Sequence, residues 1–171
     1  MKQLAVFFLS LLLYTATAQT KNTSAKLPDE LLNFFIGNWS GEGAFYNGKK
    51  IAADLSFRLT LDSSWIIYDH TDKQPSRYKS TSMWSIDAKS GEFTAYMFDN
   101  SFGHRKFISD GWKDGKLILT SIDYAQTRGV LFQHLIYEKQ SDTSFKMTYE
   151  TSKDGLVWRL GDYLLFTKRN Q

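Results

Sequence analysis

The amino-acid sequence predicts an all-β protein, an antiparallel up-and-down β-barrel of about ten strands preceded by one short N-terminal helix. Two observations support this prediction. Apolar and polar residues alternate with a period of two across residues 51–62, a pattern typical of a strand with one buried and one solvated face. Turn signals rich in Gly, Asn, Asp and Ser recur at steady spacing between residues 47 and 155, as in consecutive hairpins.

The start of the chain has the pattern of a secretory signal peptide, predicted to cover residues 1–18. Met1-Lys2 precede an apolar stretch, which ends at the small-x-small cleavage pattern Ala16-Thr17-Ala18. The stretch is shorter than the about 20 residues that a membrane span requires, so no membrane span is expected. Residues 19–26 are polar and predicted to be a flexible tether, and residues 27–171 a single β-barrel domain. We therefore expect a secreted or periplasmic protein.

The composition of the 171-residue chain excludes several protein classes. It contains 42% hydrophobic residues and 16% aromatic residues, which excludes a disordered, collagenous or coiled-coil chain. It contains no Cys, so it cannot be a disulfide scaffold. The 21 basic and 18 acidic residues give a net charge of +3, and the basic residues are scattered along the chain. We therefore expect no nucleic-acid partner.

The short helix is predicted from residues 27–35, just ahead of the first strand. Pro28 suits the first position of a helix, and Asp29 and Glu30 suit the positive end of the helix dipole. Leu and Phe make up most of the remaining segment, so the helix is apolar on most sides, and Gly37 ends it. Such a segment is expected to plug the barrel rather than to fold alone.

Nine turn signals divide the rest of the chain into ten predicted strands. An open antiparallel sheet of this size would expose long edges, and closure into a barrel removes them. With about ten strands the lumen is wider than side chains readily fill, so we expect a cavity inside the barrel. The predicted strands span residues 38–46, 49–61, 64–72, 77–87, 92–99, 103–112, 116–126, 129–139, 144–152 and 156–168.

The segment 32–43 resembles the opening of calycin-type barrels. In those proteins a short helix leads into a Gly-x-Trp motif and the first strand, and here Gly37 and Trp39 match that motif. The continuation Gly41-x-Gly43 is more similar to the nitrobindin-like and fatty-acid-binder-like barrels than to the lipocalins. The resemblance implies a fold but no particular reaction. Four further segments are similar to a family of small exported bacterial barrels of unknown function: 83–87, 110–117, 153–158 and 163–169.

Departures from these families limit what the resemblance implies. Fatty-acid binders carry a two-helix lid between their first two strands, whereas the turn Asn47-Gly48 leaves no room for a lid here. Nitrobindins bind haem through a His close to the C-terminus, whereas the last His of this chain is His134. Haem is therefore not carried over by the resemblance, and no cofactor is expected.

Residues that could carry catalysis are few. The three His residues, His70, His104 and His134, are not spaced as metal ligands, so no metal site is expected. Asp69 and His70 are neighbours on a strand and point to opposite faces, so they cannot act as an acid–base pair. The chain has neither a Gly-x-Ser-x-Gly elbow nor a Cys nucleophile. No catalytic residue is therefore assigned from the sequence.

The candidate ligand-binding residues are mainly aromatic and hydroxyl side chains at positions that could share one interior. Such residues line pockets for apolar ligands, and a fully packed core would use the same residues. The strand of His134 is apolar on both faces, so His134 could contact a ligand in the lumen or take a core or outward position. Arg159 could likewise point inward to a ligand or lie at the rim of the barrel. The candidates are Trp39, Phe57, Trp65, Tyr78, Ser80, Ser82, Trp84, His134, Tyr149 and Arg159.

Three functions remain open from the sequence alone. The first is an exported barrel that binds a small, largely apolar molecule through burial of the ligand surface. The second is an enzyme of the isomerase, dehydratase or esterase type that uses a His or a carboxylate in the lumen, with His134 inside as the candidate base. The third is a structural or protein-interacting barrel without a ligand. The identities of the ligand and of any protein partner stay open.

Overall fold

A computed structural model describes residues 26–125 and 129–169. The predicted signal peptide and all of the predicted tether except Lys26 lie outside the described residues. Within those two ranges, no helix is both long and apolar enough to cross a bilayer. The described residues form a single α-helix followed by ten β-strands: α1 (Asp29–Phe35), β1 (Gly37–Phe45), β2 (Lys50–Thr60), β3 (Trp65–Asp72), β4 (Lys79–Ile86), β5 (Phe93–Asp99), β6 (His104–Ser109), β7 (Lys116–Ala125), β8 (Gly129–Ser141), β9 (Ser144–Ser152) and β10 (Arg159–Lys168).

The ten strands form one closed antiparallel barrel. Each strand pairs with its neighbours in the chain, and β1 pairs with β10 to close the sheet. The closing ladder runs from Trp39 opposite Lys168 to Phe45 opposite Asp162, so it covers most of β1. The prediction of an all-β barrel preceded by one short helix is confirmed.

The strand ends lie close to their predicted positions, and the larger differences are at the end of β6 and the start of β10. Strand β10 begins at Arg159 rather than at residue 156. The segment before it is held in a turn, because Asp154 Oδ1 accepts hydrogen bonds of 2.9 Å from the backbone N–H groups of Leu156 and Val157. The bonds from Val157 and Leu156 lower the pKa of Asp154 to about 2. This capping competes with strand pairing and explains the late start.

Strand β2 carries the predicted alternation over most of its length. Its residues from Ile51 to Phe57 alternate between buried and half-buried positions. The alternation also predicts buried positions for Leu59 and Leu61, but they are 39% and 62% exposed. Leu59 lies opposite the buried Ile66 of β3, so it keeps the predicted face and is exposed near the end of β2. Leu61 lies beyond the end of β2, in the turn to β3 with a φ of 49°, where the strand period no longer applies.

Helix α1 packs into one end of the barrel and fills it with aromatic side chains. Phe35 is fully buried, and its ring lies 5.7 Å from that of Trp84 in an edge-on contact. The Trp39 indole Nε1 donates a hydrogen bond to the Phe35 carbonyl (2.8 Å), and Lys168 Nζ donates one to the Phe34 carbonyl (2.9 Å). These bonds attach the helix to β1 and β10, because the last carbonyls of a helix have no partner within it.

The closing ladder brings two backbones together at Gly43. This residue of β1 lies opposite Leu164 of β10, and a Cβ atom there would collide with the backbone carbonyl of Tyr163. We expect Gly43→Ala to lower the free energy of unfolding by about 2 kcal/mol or more, because overpacking against fixed atoms costs about 1–3 kcal/mol. Urea denaturation of the purified variant measures this loss.

The matched control is Glu42→Ala on the same strand, where the side chain is exposed. A surface substitution of this kind is expected to change the free energy of unfolding by about 0.5 kcal/mol or less. Equal losses in the Gly43 and Glu42 variants would contradict the close approach of β1 and β10 at Gly43.

Candidate functional site

The barrel is hollow at the end opposite α1. The cavity there has a volume of about 280 Å³, just below the range of about 300–1,000 Å³ that is typical of small-molecule sites. Residues at the end of β1 and near the start of β10 line this cavity. Helix α1 contacts the opposite ends of the same two strands, namely the start of β1 and the end of β10. Its apolar and aromatic walls are formed by Phe45, Ile51, Tyr68, Tyr78, Met97, Phe107, Leu135, Tyr137, Met147, Tyr149 and Leu164.

A layer of packed aromatic rings separates the cavity from the helix. The ring of Tyr68 stacks on that of Phe57 with centroids 4.6 Å apart, and the ring of Trp84 lies 5.2 Å from that of Tyr137. Tyr68 and Tyr137 line the cavity, whereas Phe57 and Trp84 lie beneath them. Aromatic pairs at these distances add attraction beyond the burial of their surface. The cavity therefore has a closed aromatic floor.

A chain of buried polar groups runs along β3 in the cavity wall. His70 Nε2 lies 2.7 Å from Asp72 Oδ1, and His70 Nδ1 lies 3.0 Å from the Tyr68 hydroxyl. Ser76 Oγ donates a hydrogen bond of 2.5 Å to the other oxygen of Asp72. Because the carboxylate accepts, His70 Nε2 carries the proton, and in the neutral ring Nδ1 accepts from the Tyr68 hydroxyl. Both ring nitrogens of His70 are thus occupied.

Arg105 brings a positive charge to the cavity wall, and that charge is paired. Its Nη2 donates to the carboxylate of Asp99, and its Nη1 donates to Gln133 Oε1 at 3.2 Å. The Tyr149 hydroxyl donates to the same Gln133 oxygen at 3.1 Å. The Asp99 side chain is only 6% exposed, so the ion pair is largely removed from water, where charge-assisted hydrogen bonds are strong. This network ties β5, β6, β8 and β9 together around the cavity.

Asp162 places a carboxylate in the cavity wall without a partner. It lies on β10, opposite Phe45 of β1 and Tyr149 of β9. Among the residues that the structure describes, no side chain forms a hydrogen bond or ion pair with this carboxylate. Burial raises the pKa of Asp162 to about 6, while the positive form of His70 lowers it and the charge of Asp72 raises it. The carboxylate is therefore ionised at physiological pH but poorly stabilised.

The buried Ser80 hydroxyl at the cavity also lacks a partner within the described ranges. Ser80 is 5% exposed, and its hydroxyl oxygen has no hydrogen-bond partner there. The hydroxyl of the fully buried Tyr137 interacts with that of Tyr68, which lowers the pKa of Tyr137 against the larger effect of burial. Burial raises the pKa of Tyr68, Tyr137 and Tyr149, so these phenols stay neutral at physiological pH. A ligand can therefore meet several neutral hydroxyl groups and one free carboxylate.

The ligand-binding residues predicted from the sequence fall into three groups by their position in the structure. Those that line the cavity are Tyr78, Ser80 and Tyr149. Those that lie inside the barrel, in the packed layer nearer α1, are Trp39, Phe57, Ser82 and Trp84. Trp65 and His134 lie on the outside of the barrel, and Arg159 is exposed at the start of β10, opposite Thr151 of β9, and does not line the cavity. The cavity thus brings together three of the predicted residues and not the others.

The outward positions of Trp65 and His134 follow from the pleat of their strands. Tyr68 points inward on β3, so Trp65, at odd spacing from it, lies on the outer face. Gln133 of β8 is buried, and the neighbouring His134 points outward and stacks on Trp158 with ring centroids 3.4 Å apart. The catalytic hypothesis that required His134 in the lumen therefore does not hold.

Sequence reasoning missed the residues that carry the polar chemistry of the cavity, namely His70, Asp72 and Asp162. The first two had a signal in the sequence, because residues two apart on a strand share one face, and Tyr68 and His70 precede Asp72 at that spacing. Asp162 had no such signal, since a register shift just before it interrupts the alternation of β10.

Comparison with known proteins leaves the site to be interpreted from its own geometry. No family model matches the chain, and no curated protein matches it significantly. In residues 26–125 and 129–169, no group of three or more His, Asp or Glu side chains is arranged to hold a metal ion.

We expect Asp162→Asn to stabilise the protein at about pH 8 and to leave its stability nearly unchanged at about pH 4. The pKa of Asp162 is raised from 3.8 to about 6 by folding, so the folded protein holds this proton more tightly than the unfolded chain. That stabilising contribution is complete below the unfolded pKa and is lost as the pH rises through about 6. The gain of the variant at the higher pH is about 2 kcal/mol, reduced from the full shift because the side chain is partly solvated.

Urea denaturation of both proteins at the two pH values measures this difference. The titratable groups that face Asp162 are His70 and Asp72 of β3 and Tyr149 of β9, and all three are present in both proteins. An equal gain at both pH values would show that the ionised carboxylate is not the source of the effect.

Proposed function

We propose that the barrel binds a small, largely apolar molecule in the cavity opposite α1. The observation that carries this proposal is the coexistence, in about 280 Å³ of unfilled volume, of aromatic walls and unpartnered polar groups. A packed core would close such a volume, because protein interiors approach the density of organic crystals. Burial of ligand surface contributes about 25 cal/mol per Å², and the polar groups fix the orientation of the ligand.

An enzymatic role is the second hypothesis, and the contacts of His70 argue against His70 as its base. Both ring nitrogens are engaged by Tyr68 and Asp72, so neither is free to exchange a proton with a ligand. The free titratable group is the carboxylate of Asp162, whose pKa of about 6 suits general acid–base chemistry. A reaction of the isomerase, dehydratase or esterase type through this carboxylate stays a hypothesis.

We also propose that the protein is exported. The proposal is supported by Lys2, the apolar stretch that follows it, and the small-x-small pattern that ends at Ala18. The resemblance to small exported calycin-type barrels is in line with it, and the closed ten-stranded barrel is compatible with that resemblance.

Cleavage after Ala18 tests the proposed export. We expect the mature protein, purified from the exported fraction of its native host, to begin at Gln19, because the small residues Ala16 and Ala18 suit the signal peptidase. Intact-mass spectrometry measures the N-terminus. A protein that retains Met1 in every fraction would overturn the proposal.

Ligand binding is tested with N-phenylnaphthylamine, a neutral fluorescent probe of aromatic character. We expect it to bind with a Kd of about 100 μM or tighter and to accept excitation energy from Trp84, which lies next to the cavity-lining Tyr137. Ser80→Leu fills part of the cavity and is expected to weaken binding by about tenfold, roughly what one or two lost methylene-sized contacts cost.

Thr81→Leu is the matched control, because Thr81 is adjacent on β4 and exposed on the outer face. Circular dichroism confirms that both variants are folded. Absence of binding by the wild-type protein, or equal weakening in the two variants, would refute the proposal that the cavity is the binding site.

A further inference from the structure

The free carboxylate of Asp162 gives the cavity a preference for one chemical class of ligand. We propose that the ligand carries a protonated amine on an otherwise apolar body, and that Asp162 binds the amine. The inference rests on the binding function proposed above and specifies the class of molecule that is bound. It is argued from the charges, hydrogen bonds and aromatic rings of the cavity.

The charges around the cavity favour a cation over an anion. Arg105 is the permanently cationic side chain among the described lining residues, and Asp99 balances its charge. Its Nη atoms donate to Asp99 and Gln133, and its buried Nε has no partner among the described residues. The carboxylate of Asp162 forms no hydrogen bond or ion pair with a described side chain, and the positive form of His70, which acts on it, is itself bonded to Asp72. An ammonium group would supply the missing counter-charge.

Asp72 also lines the cavity but cannot take the same role. One of its oxygens is bonded to His70 and the other to Ser76, at 2.7 and 2.5 Å. The ligand therefore meets the satisfied carboxylate of Asp72 and the free carboxylate of Asp162 in one cavity. A carboxylate on the ligand would be repelled by both, because like charges repel strongly where water is largely excluded.

Aromatic rings and a free hydroxyl complete a site for an ammonium group. The Ser80 oxygen is buried without a partner in the described chain, so it can accept an N–H hydrogen bond. The faces of aromatic rings attract cations, most strongly when the site is shielded from water. The rings that line the cavity are those of Tyr68, Tyr78, Phe107, Tyr137 and Tyr149.

A matched series of three probes tests the proposal by isothermal titration calorimetry near neutral pH. Naphthylethylamine, naphthylethanol and naphthylacetate share one apolar body and differ in the terminal group, which is respectively cationic, neutral and anionic. We expect the amine to bind at least about tenfold more tightly than the alcohol, as a charge-assisted hydrogen bond provides, and the carboxylate to bind most weakly.

Asp162→Asn is the decisive variant, and Glu42→Gln is its control because it removes an exposed carboxylate from the outer surface. We expect Asp162→Asn to reduce the preference for amine over alcohol to about threefold or less, while the affinity for the alcohol changes little. The Glu42 variant is expected to keep the full preference. Retention of binding to the alcohol shows that the Asp162 variant is folded.

The outcomes separate this inference from the function on which it rests. If the alcohol binds but the amine is not preferred, or if Asp162→Asn keeps the full preference, the amine inference is overturned while ligand binding stands. If none of the three probes binds to the wild-type protein, both proposals are overturned.

Discussion

The pairing of β1 with β10 is the contact on which the rest of the molecule depends. It joins the two ends of a meandering sheet, so that residues far apart in the sequence share one enclosed volume. Closure removes both free edges and fixes each alternating side chain as inward or outward. The two glycines of β1 allow the approach, because a Cβ atom at Gly41 would overlap the ring of Phe166 and one at Gly43 the backbone of Tyr163. The interior exists only as long as these contacts hold.

A closed barrel of ten strands encloses more volume than its own side chains fill. The two ends of this barrel differ in how that volume is occupied. At one end α1 adds Phe34 and Phe35, whose rings pack edge-on against each other 5.0 Å apart. At the other end no described element enters the lumen, and the remaining volume is the cavity. His70, Asp72 and Asp162 all lie at that end. The helix therefore determines indirectly which end of the barrel stays hollow.

Alternation and turn signals predicted the barrel because both are local properties of the chain. They also placed Tyr78, Ser80 and Tyr149 inside, where the structure has them lining the cavity. The height of a residue along the barrel axis depends on the register of all the strands, which no single strand encodes. For that reason Trp39 and Trp84, although inside, belong to the packed end. The hydrogen bonds of Asp72 and the isolation of Asp162 are likewise consequences of closure that the sequence does not display.

Stability alone does not account for the polar groups of the cavity. Buried polar groups are nearly always paired, and each unpaired one costs about 1–3 kcal/mol against a net stability of about 5–15 kcal/mol for a typical domain. The charges of Arg105 and Asp99 follow this rule because they form an ion pair, although Arg105 Nε has no partner among the described residues. The hydroxyl of Ser80 is buried without a partner among the described residues, and the carboxylate of Asp162 is half-buried without a hydrogen bond or ion pair to a described side chain. Under the binding function proposed above, a ligand would offset the cost of the unpartnered Ser80 hydroxyl and supply a positive charge that faces Asp162.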